Sequence, residues 1–313
     1  MSAKIFSPSA QSMAQALNHL YQGGLVAVPT ETVYGLAANA ANGEAVARIY
    51  AAKGRPSFNP LIAHVASVEM ALREGVFSAK AQALVEQVWP GPLTVVVDVA
   101  EHGTVCDLAR AGLDSVALRM PAHDVALNLL SEFGAPLVAP SANPSGQISP
   151  TRAEHVAADM GDKVDMILDG GPCASGIEST IVDVRGDVPA LLRPGSLDIA
   201  PIDAVWPGLT RPTLTPDAPQ SPGQLLRHYA PRATLRLNAA QAMPGEAYLG
   251  FGDAPDATLN LSTHERLEEA AANLFSMLRT LDETYERIAV APIPKAGLGE
   301  AINDRLTRAA KTA

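Results

Sequence analysis

The sequence predicts an α/β fold in two parts: a large domain on a many-stranded sheet, then a linker and a small α/β domain. Three observations carry this reading. Short apolar runs alternate with amphipathic stretches over the first two thirds of the chain, a Pro- and Gly-rich segment breaks the pattern after Trp206, and alternation resumes beyond residue 233. The chain has 313 residues, 47% hydrophobic and 18% charged, enough to bury a large core and to divide into two domains.

Taken in order, a helix is expected over 10–22 and a buried-type strand over 25–28, closed by Pro29. Residues 42–53 fit an amphipathic helix with Val46, Ile49 and Tyr50 on one face, Asn42 as cap and Gly54 just past the end. Pro56 and Pro60 push Arg55 and Asn59 into extended backbone, and the next strand covers 61–65. Further strands are expected at 93–99, 116–120, 137–139, 166–168, 180–184 and 190–192, with a helix at 124–133 and another opened by a capping box from Thr151 to Glu154. Residues 206–232 read as a linker. Beyond it, strands at 234–237, 247–251 and 288–292 accompany a helix over 265–281 and a closing helix after Gly299, with Ala301, Ile302, Leu306 and Ala309 buried.

Charge and cysteines exclude several classes. Twenty-three basic against thirty-three acidic side chains give a net charge of −10, so the body as a whole repels nucleic acid and any polyanion must be met at a concentrated site. Cys106 and Cys173 form no CxxC, which disfavours a zinc site and points to a reducing cytoplasm. No apolar run reaches the length of a membrane span, and the N-terminus lacks the apolar core of a signal peptide.

The concentrated site is the run KGRPSFNPLIAH, which sets Lys53, Arg55, Asn59 and His64 among two prolines and a glycine. Two cations on an interrupted backbone suit a polyanion, each ion pair attracting by roughly 4 kcal/mol at an intermediate dielectric before desolvation. Ser115, Arg119, Ser141, Asn143, Ser149, Ser179 and Arg193 fall at strand ends, where α/β sheets build their sites. Familiar motifs are absent. GGPCASGIEST lacks the lysine of a phosphate-binding loop, and Ile302 stands at the third glycine position of a dinucleotide fingerprint opened by Gly297 and Gly299. Neither HExxH nor a serine elbow occurs, since Ser145 lacks the first glycine of GxSxG.

The ordered set PTETVYGL, KGRPSFNPLIAH, WPGPLT, ALRMP, APSANPSGQISPT, GIESTIVD and LLRPGSL resembles the YrdC-like domain of threonylcarbamoyl-AMP synthases. SPGQLLRHYAP and GLGEAINDRLTRAA resemble the linker and extra C-terminal domain of the two-domain form. The resemblance implies a twisted mixed-sheet YrdC-like domain with a large concave site over 1–205, a linker over 206–232 and a small Rossmann-like domain over 233–313. It implies a nucleotidyltransferase that joins L-threonine, bicarbonate or CO2, and ATP with Mg²⁺ into threonylcarbamoyl-AMP and pyrophosphate. A separate complex then transfers the group to the adenosine beside the anticodon of tRNA, and a weak tRNA contact by the enzyme itself stays open.

In those roles, Lys53 and Arg55 are expected at the triphosphate as the catalytic pair, with Asn59, Ser115, Ser141, Asn143, Ser149, Arg193 and Tyr229 on the ATP side. Thr32, His64, Arg119, Ala139 and Ser179 are expected around L-threonine. Arg227, His228 and Tyr229 form a candidate flap that excludes water from the labile anhydride. Each has a plainer reading: Lys53 as a helix-end cation, His64 as a core histidine, Ser141 and Asn143 as turn formers, Arg193 as an exposed strand end, Glu178 as half of a structural ion pair, the linker as a passive tether. Two rival functions stand beside the synthase. A non-catalytic RNA-binding module is disfavoured by the charge and an aromatic content of 4%, and a carbamoyltransferase of the hydrogenase-maturation type by the lack of cysteine-rich fingers.

Overall fold

The computed structural model describes residues 4–212 and 228–311. In chain order its first elements are β1 (Ile5–Phe6), α1 (Ala10–Tyr21), β2 (Val26–Val28), β3 (Gly35–Asn39), α2 (Gly43–Lys53), β4 (Ile62–His64), α3 (Val68–Glu74), β5 (Gly75–Val76) and α4 (Ala79–Val88). Then come β6 (Leu93–Val99), β7 (Ser115–Arg119), α5 (Asp124–Phe133), β8 (Leu137–Val138), α6 (Ala153–Met160), β9 (Met166–Leu168), β10 (Thr180–Asp183), β11 (Ala190–Arg193) and α7 (Ala200–Val205). The C-terminal part holds β12 (Thr234–Arg236), β13 (Ala247–Gly250), β14 (Leu259–Asn260), α8 (Leu267–Thr284), β15 (Arg287–Val290) and α9 (Leu298–Ala309).

The first sheet has eleven strands, in the order β1-β9-β2-β3-β8-β4-β7-β6-β10-β11 with β5 on β6. It is mixed: β4 runs parallel to β7, while β6 and β7 are antiparallel. α2 is built as its ends predict, with the Asn42 side chain accepting from the Glu44 and Ala45 amides and Gly54 closing it at φ 58°. One face of the sheet is sealed by α1 and α5 through Leu20, Leu129, Leu130 and Phe133. A larger core gathers Val46, Ile49, Leu84, Val85 and Val156 from α2, α4 and α6.

Sequence and structure part at α6. The capping box from Thr151 does not form; Arg152 is the N-cap, without a side-chain cap bond. The reason is His155, whose Nδ1 takes the Thr151 amide at 3.2 Å and so ties up the residue that was to cap the helix. β3, α3, α4 and α7 were not foreseen. Their runs are short and rich in alanine or polar residues, with little periodicity to read.

The second sheet is wholly parallel, in the order β12-β15-β13-β14. α8 and α9 cover it with Leu274, Phe275, Leu278, Ile302 and Leu306. That core does not stop at the C-terminal elements: it takes in Val33, Ile148, Ile177 and Tyr229. Gly176 makes the approach feasible. Its φ is +71°, and a Cβ there would come within 2.4 Å of the Ala272 Cα in α8. The linker residues 213–227, Arg227 among them, lie outside the described residues. Where the chain resumes, the Ala230 amide donates to the Gly146 carbonyl at 2.8 Å and returns it to the first domain.

Candidate active site

Strand register sets the frame. His64 on β4 is opposite Arg119 on β7, Thr94 on β6 is opposite Ile181 on β10, and Ile181 is opposite Arg193 on β11. Carrying the β6–β7 register one residue beyond Val95↔Leu118 puts Thr94 beside Arg119. Arg119 and Arg193 therefore stand in one cross-strand row, three strand spacings or roughly 14 Å apart at the backbone. Between them lies a cavity. Its wall includes Thr32, Arg55, His64, Arg119, Ala139, Ser141, Ser179, Arg193 and Tyr229, which brings most of the expected residues together. Ile62, Val33, Pro140, Glu178 and His228 complete it. Ile62 was legible in principle, since it is two residues before His64 on the same face of β4.

At one end Arg119 is held by Thr32 and Glu31. Its Nη1 donates to Thr32 Oγ1 at 2.9 Å, and its Nη2 is 2.6 Å from Glu31 Oε1, an ion pair without aligned hydrogen-bond geometry. Thr30 donates its single hydroxyl proton to the Val33 carbonyl at 2.7 Å, so Thr32 must donate to Thr30 across their 2.9 Å contact. The chain from Arg119 through Thr32 to Thr30 is thus directional, and it fixes the guanidinium. His64 is buried beside it with Nδ1 unpartnered. Burial, then the Arg119 charge, pushes its pKa down to about 3, so the imidazole is neutral.

At the other end, Arg193 grips Ser179: Nε and Nη2 donate to its carbonyl at 3.1 and 2.9 Å, and Nη2 to its hydroxyl at 3.1 Å. Gly195 permits this, because a Cβ there would lie 2.2 Å from the Ser179 carbonyl carbon. Arg55 donates from Nε to the Asn59 carbonyl at 3.2 Å and from Nη2 to that of Pro60 at 2.8 Å. Burial lowers the pKa of Arg55 and of Arg193 to about 10 each, which leaves both charged at neutral pH. His228 and Tyr229 close this end, the histidine edge-on to the tyrosine with ring centres 4.1 Å apart. Tyr229 adopts φ 64° and stacks on Phe275 of α8 at 5.4 Å.

Lys53, Asn59, Ser115, Asn143 and Ser149 are all buried but do not line the cavity. Lys53 donates to the Ser141 and Asn143 carbonyls, both at 2.5 Å, and so pins the loop after β8. Burial and the neighbouring Arg55 push its pKa well below the usual lysine range. Asn143 donates to the Pro144 and Gln147 carbonyls at 2.9 Å and shapes the same loop. Ser149 donates to Glu178 Oε1 at 2.6 Å. The Asn59 amide is buried with neither polar atom partnered, and Ser115 begins β7, roughly 13 Å along the strand from Arg119.

Besides the lining residues Val33, Ile62 and Pro140, sequence reasoning missed Arg305. Arg305 of α9 is fully buried and donates from Nε to Glu178 Oε2 at 2.8 Å. Burial pushes the Glu178 carboxyl up, but Arg305, Arg193 and the Ser149 bond outweigh it and hold the pKa at about 2. A signal existed: Arg305 is four residues from both Ala301 and Ala309, on the buried stripe of α9, where an arginine implies a buried partner.

A mixed-sheet α/β domain with a cation-lined cavity, closed at one end by the segment that leads into a second α/β domain, defines a class of two-domain small-molecule-binding proteins. Within that class, the chain belongs to the threonylcarbamoyl-AMP synthase family. Residues 18–195 match the Sua5, YciO and YrdC family model described as "Telomere recombination", and residues 197–311 match that of the threonylcarbamoyl-AMP synthase C-terminal domain. The chain is 39% identical to the threonylcarbamoyl-AMP synthase of Bacillus subtilis, over 95% of this chain and 92% of that one. It is 40% identical to that of Pyrococcus abyssi, over 94% and 92%. The crystal structure of Pyrococcus abyssi Sua5 complexed with L-threonine superposes with a TM-score of 0.91 at 36% identity, covering 98% of each chain.

Proposed function

We propose that the chain makes threonylcarbamoyl-AMP and pyrophosphate from L-threonine, bicarbonate or CO2, and ATP, as a nucleotidyltransferase supplying the threonylcarbamoyl group for tRNA modification. The observation that supports this best is the row from His64 and Arg119 to Arg193. It puts one arginine at each end of one cavity, which supports reading one end as a carboxylate site and the other as a polyphosphate site. The names of the relatives and the L-threonine in the Pyrococcus structure point the same way.

In this reading Arg119 takes the threonine carboxylate, with Thr32, Ser179 and the Ala139 backbone around the amine and hydroxyl and neutral His64 against the side chain. The neutral amine adds to CO2 and its proton passes to solvent, giving a carbamate. A carbamate oxygen then bonds to the α-phosphorus as the bond to pyrophosphate breaks in line. Such a transfer asks the protein mainly for alignment and for neutralising charge on the phosphates. Arg55 and Arg193 supply charge there, Ser141 a hydroxyl, and Tyr229 with His228 a lid against water.

Lys53, Asn59, Asn143, Ser115 and Ser149 support the nucleotide end from behind the wall. Contact of Lys53 with phosphate takes its ammonium off one of the two carbonyls it now holds. Mg²⁺ belongs to the nucleotide in this proposal: Glu178 is the one carboxylate among the described lining residues, and Arg305 and Ser149 already occupy it. No helix among the described residues is long and apolar enough to cross a membrane. The reaction implies the cytoplasm as its compartment, with a tRNA-modifying complex as the consumer of the product.

The test is pyrophosphate release from ATP with threonine and bicarbonate omitted in turn. The proposal expects release to need both; release indifferent to both omissions overturns it. Salt-sensitive tRNA binding without ATP turnover would instead favour the RNA-binding rival.

A further inference from the structure

A buried arginine is costly unless every strong partner it needs is in place. Arg305 is fully buried, its Nε and Nη1 partners come from both domains, and its Nη2 has no hydrogen-bond partner among the described residues. Besides the Glu178 bond, Nη1 donates to the Pro194 carbonyl at 2.9 Å and to Asp304 Oδ2 at 2.8 Å. Its guanidinium carbon lies 5.2 Å from the centre of the Tyr229 ring, within cation–π range. Interdomain glue would need only one such pair at any point of the contact. Instead, Glu178 and Tyr229 both line the cavity, and Pro194 directly follows the lining residue Arg193. Arg305 itself does not line it.

We propose that Arg305 is a positioning residue for the nucleotide end of the cavity, through which the C-terminal domain braces the active-site wall from behind. One planar group fixes three things at once: the rotamer of Glu178, the face of Tyr229 and the path of the chain after Arg193. Ser149 holds the other Glu178 oxygen, so the carboxylate is clamped between the two domains. A lysine cannot reproduce this, because it offers a single point of charge rather than a flat fork that bonds on its edge and stacks on its face. The inference rests on the assignment of this end of the cavity to ATP, and binding rather than turnover is therefore the readout.

The full-length chain is compared as wild type, Glu178→Gln, Arg305→Met, Arg305→Lys and the double variant Arg305→Met with Glu178→Gln. Melting temperature and the Kd values for ATP and L-threonine are measured for each by calorimetry. Arg305→Met alone strands a buried carboxylate and should lower the melting temperature; the double variant removes that charge and should return to the Glu178→Gln value. The positioning role predicts that the double variant still binds ATP at least fivefold more weakly than Glu178→Gln, with L-threonine affinity within twofold. An ATP affinity closer than fivefold, or a parallel loss of L-threonine binding, overturns it. Should the double variant not fold, Arg305→Lys against wild type carries the test at the same threshold. Failure of the proposed reaction is separate: it shows in wild type as no ATP binding, or as binding without turnover.

Discussion

Arg305 and Glu178 are 127 residues apart in sequence and meet at 2.8 Å just behind the cavity wall, the arginine fully buried. Removing one member of a buried pair typically costs about 3–5 kcal/mol, because it leaves an uncompensated charge. Any account of the first domain's chemistry has to include the last helix.

Arg119→Lys should weaken L-threonine binding roughly 10- to 100-fold while changing ATP binding little. The guanidinium spans Thr32, Glu31 and the Gly91 carbonyl, and the flat fork that does so is what a single ammonium cannot reproduce. Calorimetric titration with each substrate checks this; equal losses for both would contradict the division of the cavity.

Tyr229→Ala should raise the ATP consumed per threonylcarbamoyl product. The ring closes the end of the cavity proposed for the nucleotide and is braced by Phe275 and Arg305, so in the proposed reaction its loss admits water to a reactive anhydride. An unchanged ratio of product to ATP would reduce the segment to a tether.

Stability should fall as pH drops below about 6.5. His64 and His228 are buried with pKa values depressed to about 3, so the unfolded chain binds protons there that the folded chain does not. Their contribution is present above the unfolded pKa and lost as pH falls toward the folded one. From pH 7 to pH 5 each histidine should cost roughly 2 kcal/mol. Glu178, held at about 2, acts with the same sign lower down, between about pH 4.5 and pH 2. Half-buried His155, lowered to about 4 by burial and then Arg279, adds a similar loss from pH 7 to pH 5, so urea midpoints at pH 7 and pH 5 read the effect and His64→Gln should remove about a third of it.

Gly176→Ala should destabilise the contact between the domains by about 1–3 kcal/mol, since it meets both a left-handed φ and the α8 backbone. Thermal unfolding checks this; a melting temperature equal to wild type would mean the loop moves freely off α8.

What the sequence made legible was whatever local chemistry dictates. The Asn42 cap, the Gly54 stop and the strand over residues 93–99 follow from neighbours a few positions away. Arg55, His64, Arg119 and Arg193 were found as strand-end or loop residues, and register then set them around one cavity. Capping at Thr151 failed because a helix residue, His155, competes for it, and such competition is decided by packing. Lys53 has the composition of a phosphate ligand, yet here it bonds two carbonyls of a loop about ninety residues away, which the long-range fold brings to it. Arg305 was readable only as an arginine on an apolar stripe; its partner is set by docking of the two domains.

The most direct test of the central claim is the fate of isotope-labelled bicarbonate incubated with the full-length chain, L-threonine, ATP and Mg²⁺. The account predicts a labelled compound containing threonine and AMP, formed in equal amount with pyrophosphate and absent when threonine is left out. ATP consumption with no label in any AMP-containing product would contradict it.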